Sequence, residues 1–116
     1  MSEKNNRVFL IGHLGSNPEI KETTTGKKVA HFKIATNDNY QNGQGERVTE
    51  TQWHNLIAWG KLAERVEMEV RKGAEISVEG KISYHNYVDS DGLKRYVTEI
   101  TVFDFSVIRQ PKKVEA

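Results

Sequence analysis

The sequence predicts an all-β fold, a barrel with one short helix. Three observations support this prediction. Five segments have the length and the apolar or alternating pattern of β-strands, only one segment repeats apolar residues at helical spacing, and turn-forming residues separate the segments. The chain has 116 residues and no linker or low-complexity tract, which is enough for one domain but not for two.

The first two predicted strands differ in pattern. Residues 7–12 are a continuous apolar run, as expected for a strand that is covered on both faces, and Gly15 helps to end it. Residues 29–37 alternate instead, with Phe32 on one face and Lys33 on the other. This second strand therefore has a buried and a solvated face.

A hairpin is predicted between the second and third strands. Gly43 and Gly45 supply the flexible positions of a hairpin tip between residues 28–40 and 47–59. These two segments should be antiparallel partners.

The only convincing helix covers residues 61–71. Leu62, Val66 and Val70 recur at every fourth position with charged residues between them, and Gly73 follows as a terminating residue.

Two more strands complete the pattern. Residues 75–85 alternate, 89–92 form a turn sequence, and 95–108 are rich in Thr, Val, Ile and Phe. We interpret the aromatic residues of the last strand as packing residues: Tyr96, Phe103 and Phe105. Three strands, a helix and two strands are the order of a five-stranded Greek-key barrel of the oligonucleotide-binding (OB) type, with the helix between strands 3 and 4. Other small barrels also fit the pattern.

Composition excludes several classes of function. The chain has no cysteine, so thiolate metal sites and cysteine nucleophiles are excluded. Its four histidines lack the spacing of metal ligands, and no nucleophile motif is present. We therefore predict no enzymatic activity, no cofactor and no metal. The sequence has no signal-peptide pattern and no membrane-spanning run, which predicts a cytoplasmic protein.

Aromatic residues among cations suggest a binding surface. Trp53 and Trp59 share one parity of the third strand, about 20 Å apart at the usual strand rise. A single tryptophan fits a core or interface position better, but Tyr40 and Tyr87 lie on polar stretches nearby. Several aromatic planes beside cations suit the stacking of unpaired bases, while the net charge of +1 does not by itself indicate a polyanionic partner.

The chain resembles the bacterial single-stranded DNA-binding proteins from about residue 6 to residue 107. The resemblance is carried by the order and spacing of short motifs: NRV at 6–8, GHLG at 12–15, PE at 18–19, VA at 29–30, AT at 35–36, TQWH at 51–54, WGKLAE at 59–64, RKG at 71–73, VEG at 78–80, and RY at 95–96 followed by Glu99.

This resemblance implies an OB fold, a homotetramer around which the DNA wraps, and a role in protecting exposed strands during replication, recombination and repair. The stacking residues of the family correspond to Tyr40, Trp53, Trp59 and Tyr87. Its backbone contacts correspond to Arg7, Lys61 and Lys72, to which we add Lys33 from the strand pattern. His54 matches a position at the subunit interface.

The sequence departs from the family pattern in two places. Before Tyr87 relatives often have basic residues, whereas this chain has Ser-Tyr-His-Asn at 83–86, which predicts weaker electrostatic binding. Relatives also continue into a tail with an acidic tip that recruits replication and repair proteins. Residues 1–109 are expected to form the domain and 110–116 a disordered extension without that tip, as in a truncated or a short relative, so such recruitment is not expected.

Two other functions remain open on the sequence. The chain could be a protein-interaction subunit of a DNA-processing complex that lost tight strand binding, or a barrel that binds oligosaccharides on its aromatic residues. Strand affinity and its salt dependence separate the three hypotheses.

Overall fold

The structure is a computed structural model, and it describes residues 5–111. Six strands and one helix follow one another in the described part of the chain: β1 Val8–Leu14, β2 Glu19–Glu22, β3 Lys28–Gln41, β4 Arg47–Trp59, α1 Lys61–Glu69, β5 Glu75–Val88 and β6 Lys94–Arg109. Across the same part no helix is long and apolar enough to span a membrane.

Five of the strands close into a barrel. The sheet runs in the order β1-β5-β6-β4-β3-β2, and β1 also pairs with β3, which joins the two ends of the barrel. β4 and β6 are parallel and share only two residue pairs, Leu56 with Ile100 and Ile57 with Thr101. The predicted five-stranded OB barrel is confirmed, with α1 between its third and fourth strands.

The barrel interior is apolar. The largest side chains that are almost fully buried include Ile34 of β3, Leu56 of β4 and Ile76 and Val78 of β5. α1 covers one part of this core with the buried Ala63 and Val66. In β3 and β4, the residues between these core positions therefore point away from the barrel.

The β3–β4 hairpin and the β5–β6 turn form as predicted. Asn42 closes the first tip, because its Oδ1 accepts hydrogen bonds from the backbone N–H groups of Gln44 and Glu46. Asp89 closes the second in the same way, accepting from Asp91 and Leu93.

The structure differs from the sequence prediction in several details. β2 was not predicted, because its four residues are too few to show alternation; it forms a hairpin with the start of β3. The outer face of β1 is open in the single chain, with Phe9 62% and Ile11 47% exposed, so the prediction of a strand covered on both faces is wrong for the isolated chain. In β6, Phe105 is buried as expected, but Tyr96 and Phe103 are exposed.

The helix is also shorter than predicted. α1 ends at Glu69, and Val70 is its extended C-terminal cap. The predicted extension covers residues 110–116, and its part after Pro111 lies outside the described residues.

Candidate nucleic-acid interface

The outer surface of β3 and β4 carries Lys33, Trp53 and Trp59 of the predicted site. The strand register sets Lys33 opposite Asn55 and Ala35 opposite Trp53, all on the side away from the core. The β5–β6 hairpin extends this surface with His85 and Glu99. We call the surface that carries Lys33, Trp53, Asn55, His85 and Glu99 the strand face.

Trp53 is open to solvent at the centre of this surface, with 56% of its area exposed. Its indole lies against the backbone of Gly15, where a Cβ atom would come within 2.6 Å of Cη2. Gly15 therefore leaves the space that the outer edge of the ring occupies beside the β1–β2 loop. The importance of Gly15 was not apparent in the sequence, because the contact joins two distant segments.

Trp59 lies at the far end of β4 and is 42% exposed. The ammonium nitrogen of Lys27 is 5.6 Å from the centroid of its ring, a cation–π geometry. The sequence prediction did not include Lys27. This pair sets an aromatic plane and a cation side by side.

The two predicted tyrosines lie on the arms of the hairpins. Tyr40 is opposite Val48 near the tip of β3–β4, and Tyr87 is opposite Arg95 near the tip of β5–β6. They are 48% and 53% exposed, respectively. All four predicted aromatic residues are thus open to solvent, although they are spread over the tips of two hairpins, the strand face and the far end of β4.

Asp89 stabilises the turn beyond Tyr87. The Arg95 guanidinium, whose Nε lies 2.7 Å from Asp89 Oδ2, lowers the pKa of that carboxyl, and the backbone N–H of Leu93 adds to the effect. The charged carboxylate therefore holds both the turn and Arg95.

Lys33 is a predicted cation that shares a groove with an exposed indole. It lines one shallow groove with Gly15, Ser16, Trp53 and Asn55. Among residues 5–111, no carboxylate lies within ion-pair distance of Lys33, Lys61 or Lys72. These three ammonium groups are therefore available to an anionic ligand.

A second groove of about 390 Å³ continues from Lys33 towards the β5–β6 hairpin. Its walls include Asn17, His31 and Glu99. The backbone N–H of Lys72 donates to Asn17 Oδ1 at 2.8 Å, which joins the chain after α1 to the edge of this groove. Lys61, by contrast, is the first residue of α1 and follows Trp59 by two positions.

Arg7 is set apart from these cations. Its guanidinium is paired with the carboxylate of Glu79 on β5, with Nε donating at 2.9 Å. This ion pair lies where β1 pairs with β5, and the structure does not bring Arg7 together with Lys33.

His54 points towards the inside of the open end of the barrel. Its Nε2 lies 2.9 Å from the hydroxyl of Thr36, and the side chain is half-buried. It lines a hollow of about 600 Å³ together with Val8, Leu10, Ile82 and Tyr96.

The arrangement suits non-covalent binding of an extended anionic ligand. Flat rings are exposed beside cations, and the grooves are shallow and open. Across residues 5–111 no three His, Asp or Glu side chains have the arrangement of a metal site.

Comparisons with known sequences agree on one protein family. The model of a family described as "Single-strand binding protein family" matches residues 5–108. Single-stranded DNA-binding protein 1 of Chlorobaculum tepidum is 38% identical over 104 residues, which cover 89% of this chain and 64% of that protein. The single-stranded DNA-binding protein of Bacteroides thetaiotaomicron is 42% identical over 105 residues, covering 89% of this chain and 65% of that protein. The chain therefore spans slightly less than two thirds of the length of both relatives.

Solved structures show the same fold. A Plasmodium falciparum SSB in complex with ssDNA superposes with a TM-score of 0.81 at 28% identity, covering 95% of this chain and 99% of that one. A deletion mutant of the single-stranded DNA binding protein from Thermus aquaticus superposes with a TM-score of 0.79 at 26% identity, covering 90% of this chain and 50% of that one.

Proposed function

The chain belongs to the single-strand binding protein family, and on this premise we propose that it binds single-stranded DNA without marked sequence preference. Bases stack on exposed aromatic rings while lysine and arginine side chains neutralise phosphates, and no covalent step is involved. The proposed contacts are Tyr40, Trp53, Trp59 and Tyr87 for bases, and Arg7, Lys33, Lys61 and Lys72 for phosphates. The proposed role is the protection of exposed strands in replication, recombination and repair, in the cytoplasm.

One observation supports this proposal most strongly. Trp53 has more than half of its surface exposed and shares a groove with Lys33, for which the described residues provide no carboxylate partner. The exposure of an apolar indole to water is unfavourable, so a ligand that covers the ring is favoured. A neighbouring unpaired cation attracts a polyanion. Every base has a π-face, so stacking on such a ring tolerates any sequence.

Arg7 is expected to contribute least among the four cations. It must leave Glu79 before it contacts a phosphate, whereas Lys33, Lys61 and Lys72 have no such competitor in the described part of the chain.

A fluorescence titration with oligo(dT) tests the proposal. We expect quenching of tryptophan emission on binding, because both indoles are exposed, and recovery of the emission when salt is added. The affinity should fall with salt by about 0.7 logarithmic units per phosphate contact for each tenfold rise in salt. Unchanged emission at low salt would contradict the proposal, while salt-insensitive binding of an oligosaccharide would favour a sugar-binding barrel.

We also propose that the chain assembles with copies of itself, as a tetramer by resemblance to the family. The exposed apolar outer face of β1 and the half-buried residues of the hollow around His54 support this proposal, because such surfaces are unfavourable in water. Sedimentation should give the mass of a tetramer for the native chain. Replacing Phe9 and Ile11 with glutamate should lower that mass, whereas glutamate at Met68 of α1, which is also exposed, should leave it unchanged.

A further inference from the structure

A carboxylate is held between two histidines on the strand face. Glu99 of β6 has a side chain that is only 15% exposed. Its Oε2 lies 3.8 Å from Nδ1 of His31 on β3, and its Oε1 lies 3.3 Å from Nε2 of His85 on β5. The two imidazoles are 40% and 56% exposed, so both are open to a ligand.

Two members of this cluster, His31 and Glu99, line the groove of about 390 Å³, and His85 adjoins it through its contact with Glu99. His31, Lys33, Asn55 and Glu99 all line that groove, and Lys33 also lines the neighbouring groove with Trp53. A strand that stacks a base on Trp53 and sets a phosphate on Lys33 therefore passes close to the two imidazoles.

The other charged or titratable groups around the cluster come from β2, β5, β6 and the turn between β5 and β6. Glu19 is opposite His31 on β2 and lies 3.7 Å from Lys21, and Arg95 is paired with Asp89 at 2.7 Å. β4 presents only neutral side chains here, while β5 adds Lys81 and Tyr87 on the same parity as His85. As a residue type, histidine ordinarily changes charge between pH 6 and pH 8, whereas carboxylates, lysine, tyrosine and arginine ordinarily titrate well outside that range.

Protonation reverses the charge of the cluster. With neutral imidazoles, the three side chains carry the single negative charge of Glu99, which repels phosphate. With both imidazoles protonated, the net charge is about +1, and N–H groups on two strands become charged donors.

We propose that His31 and His85, held on either side of Glu99, form a phosphate contact that exists only when they are protonated. The affinity of the chain for single-stranded DNA therefore increases as the pH falls through the range in which histidine titrates. This inference rests on the proposed binding of single-stranded DNA and names a further part of the same site.

The test measures oligo(dT) affinity at about pH 6 and at about pH 8 with equal ionic strength. Thymine does not titrate in this range, so a change in affinity reports on the protein. We expect the native chain to bind about three- to tenfold more tightly at the lower pH, with a steeper salt dependence. The double variant H31Q/H85Q should bind oligo(dT) with the same affinity at both pH values. His13 forms no ion pair with Glu99, so the control variant H13Q should keep the difference in affinity of the native chain.

The variant E99Q separates a charge effect from a structural one. Without the carboxylate, affinity at about pH 8 should rise, because the repulsion of phosphate is removed. Loss of packing alone would instead weaken binding at both pH values.

The outcomes distinguish this inference from the function on which it rests. Binding with equal affinity at both pH values would overturn the inference and leave the proposed function intact. An absence of binding at both values would overturn both proposals. A pH effect that persists in H31Q/H85Q would overturn the inference, and sedimentation at both pH values would show whether assembly causes that effect.

Discussion

Two surfaces of the barrel differ in whether their basic side chains are paired with carboxylates. On the first, carboxylates hold the cations: Arg7 with Glu79, Lys28 with Glu67, and Arg65 with Glu69 and Asp104. We call this the ion-paired surface. On the strand face, Lys33 has no carboxylate partner among residues 5–111, and the main carboxylate there, Glu99, faces two histidines.

This difference explains why the net charge is a poor guide to the partner. A net charge of +1 averages over a surface whose cations are already neutralised and another on which Lys33 has no carboxylate partner among residues 5–111. On the ion-paired surface, mutual attraction raises the pKa of Lys28 through its hydrogen bond to Glu67, and that of Arg65 through its hydrogen bond to Glu69. The position of a cation relative to carboxylates therefore matters more for binding than the number of cations.

The largest effect is expected at Gly80. Its comparison with Gly15 tests whether the ion-paired surface contributes to stability and the strand face to DNA binding. At Gly80, beside Glu79 of the ion-paired surface, a Cβ atom would lie 2.2 Å from the carbonyl oxygen of Thr101. The backbone must shift, so G80A should lower the free energy of unfolding by about 3 kcal/mol in urea denaturation. At Gly15 the contact is with the indole of Trp53, which can rotate, so G15A should cost less than about 1 kcal/mol of stability and weaken DNA binding instead. Equal losses of stability in the two variants would contradict this separation.

The next effect concerns the exposed aromatic residues. W53A should weaken oligo(dT) binding by about 1 to 3 kcal/mol, the usual contribution of one stacked base, with little change in stability. F103A is the matched control, because Phe103 is also an exposed aromatic residue, 40% exposed, but lies outside the strand face. Isothermal titration of both variants measures the difference. A similar loss of affinity in F103A would show that exposure alone, rather than position, determines the effect.

The smallest effect compares a free cation with a paired one. K33Q should reduce the slope of log affinity against log salt by about 0.7 and lower the affinity several-fold, because it removes one phosphate contact. R7Q should change that slope less, because Arg7 is already bound to Glu79. Titrations at four or more salt concentrations give both slopes. A larger effect of R7Q would mean that DNA displaces Glu79 from Arg7.

The fold could be predicted from the sequence because local patterns encode it. Alternation assigned the inner and outer faces of β3 and β5, and turn residues such as Asn42 and Asp89 identified the hairpins through their own hydrogen bonds. β2 was missed because Ile20 is its only apolar residue, too little for a pattern.

The site could be predicted only in part. The parity of β4 set Trp53 and Trp59 on one side, and the structure leaves both exposed. The ion pair of Arg7 with Glu79 could not be predicted, because it depends on which strands become neighbours. The cluster around Glu99 was missed for the same reason, since its members come from three strands that meet only in the closed barrel.

Because only two residue pairs join β4 to β6, the barrel is weakly closed along this seam. Beyond Leu56 and Ile57, towards Trp53, these strands separate without backbone hydrogen bonds, and the gap between them opens into the grooves on both of its faces. A polymer lying across this gap touches both sides of a seam that is held by only two residue pairs, as many as join β1 to β3. Occupancy by such a polymer should thus tighten the seam and slow the exchange of its amide protons with solvent.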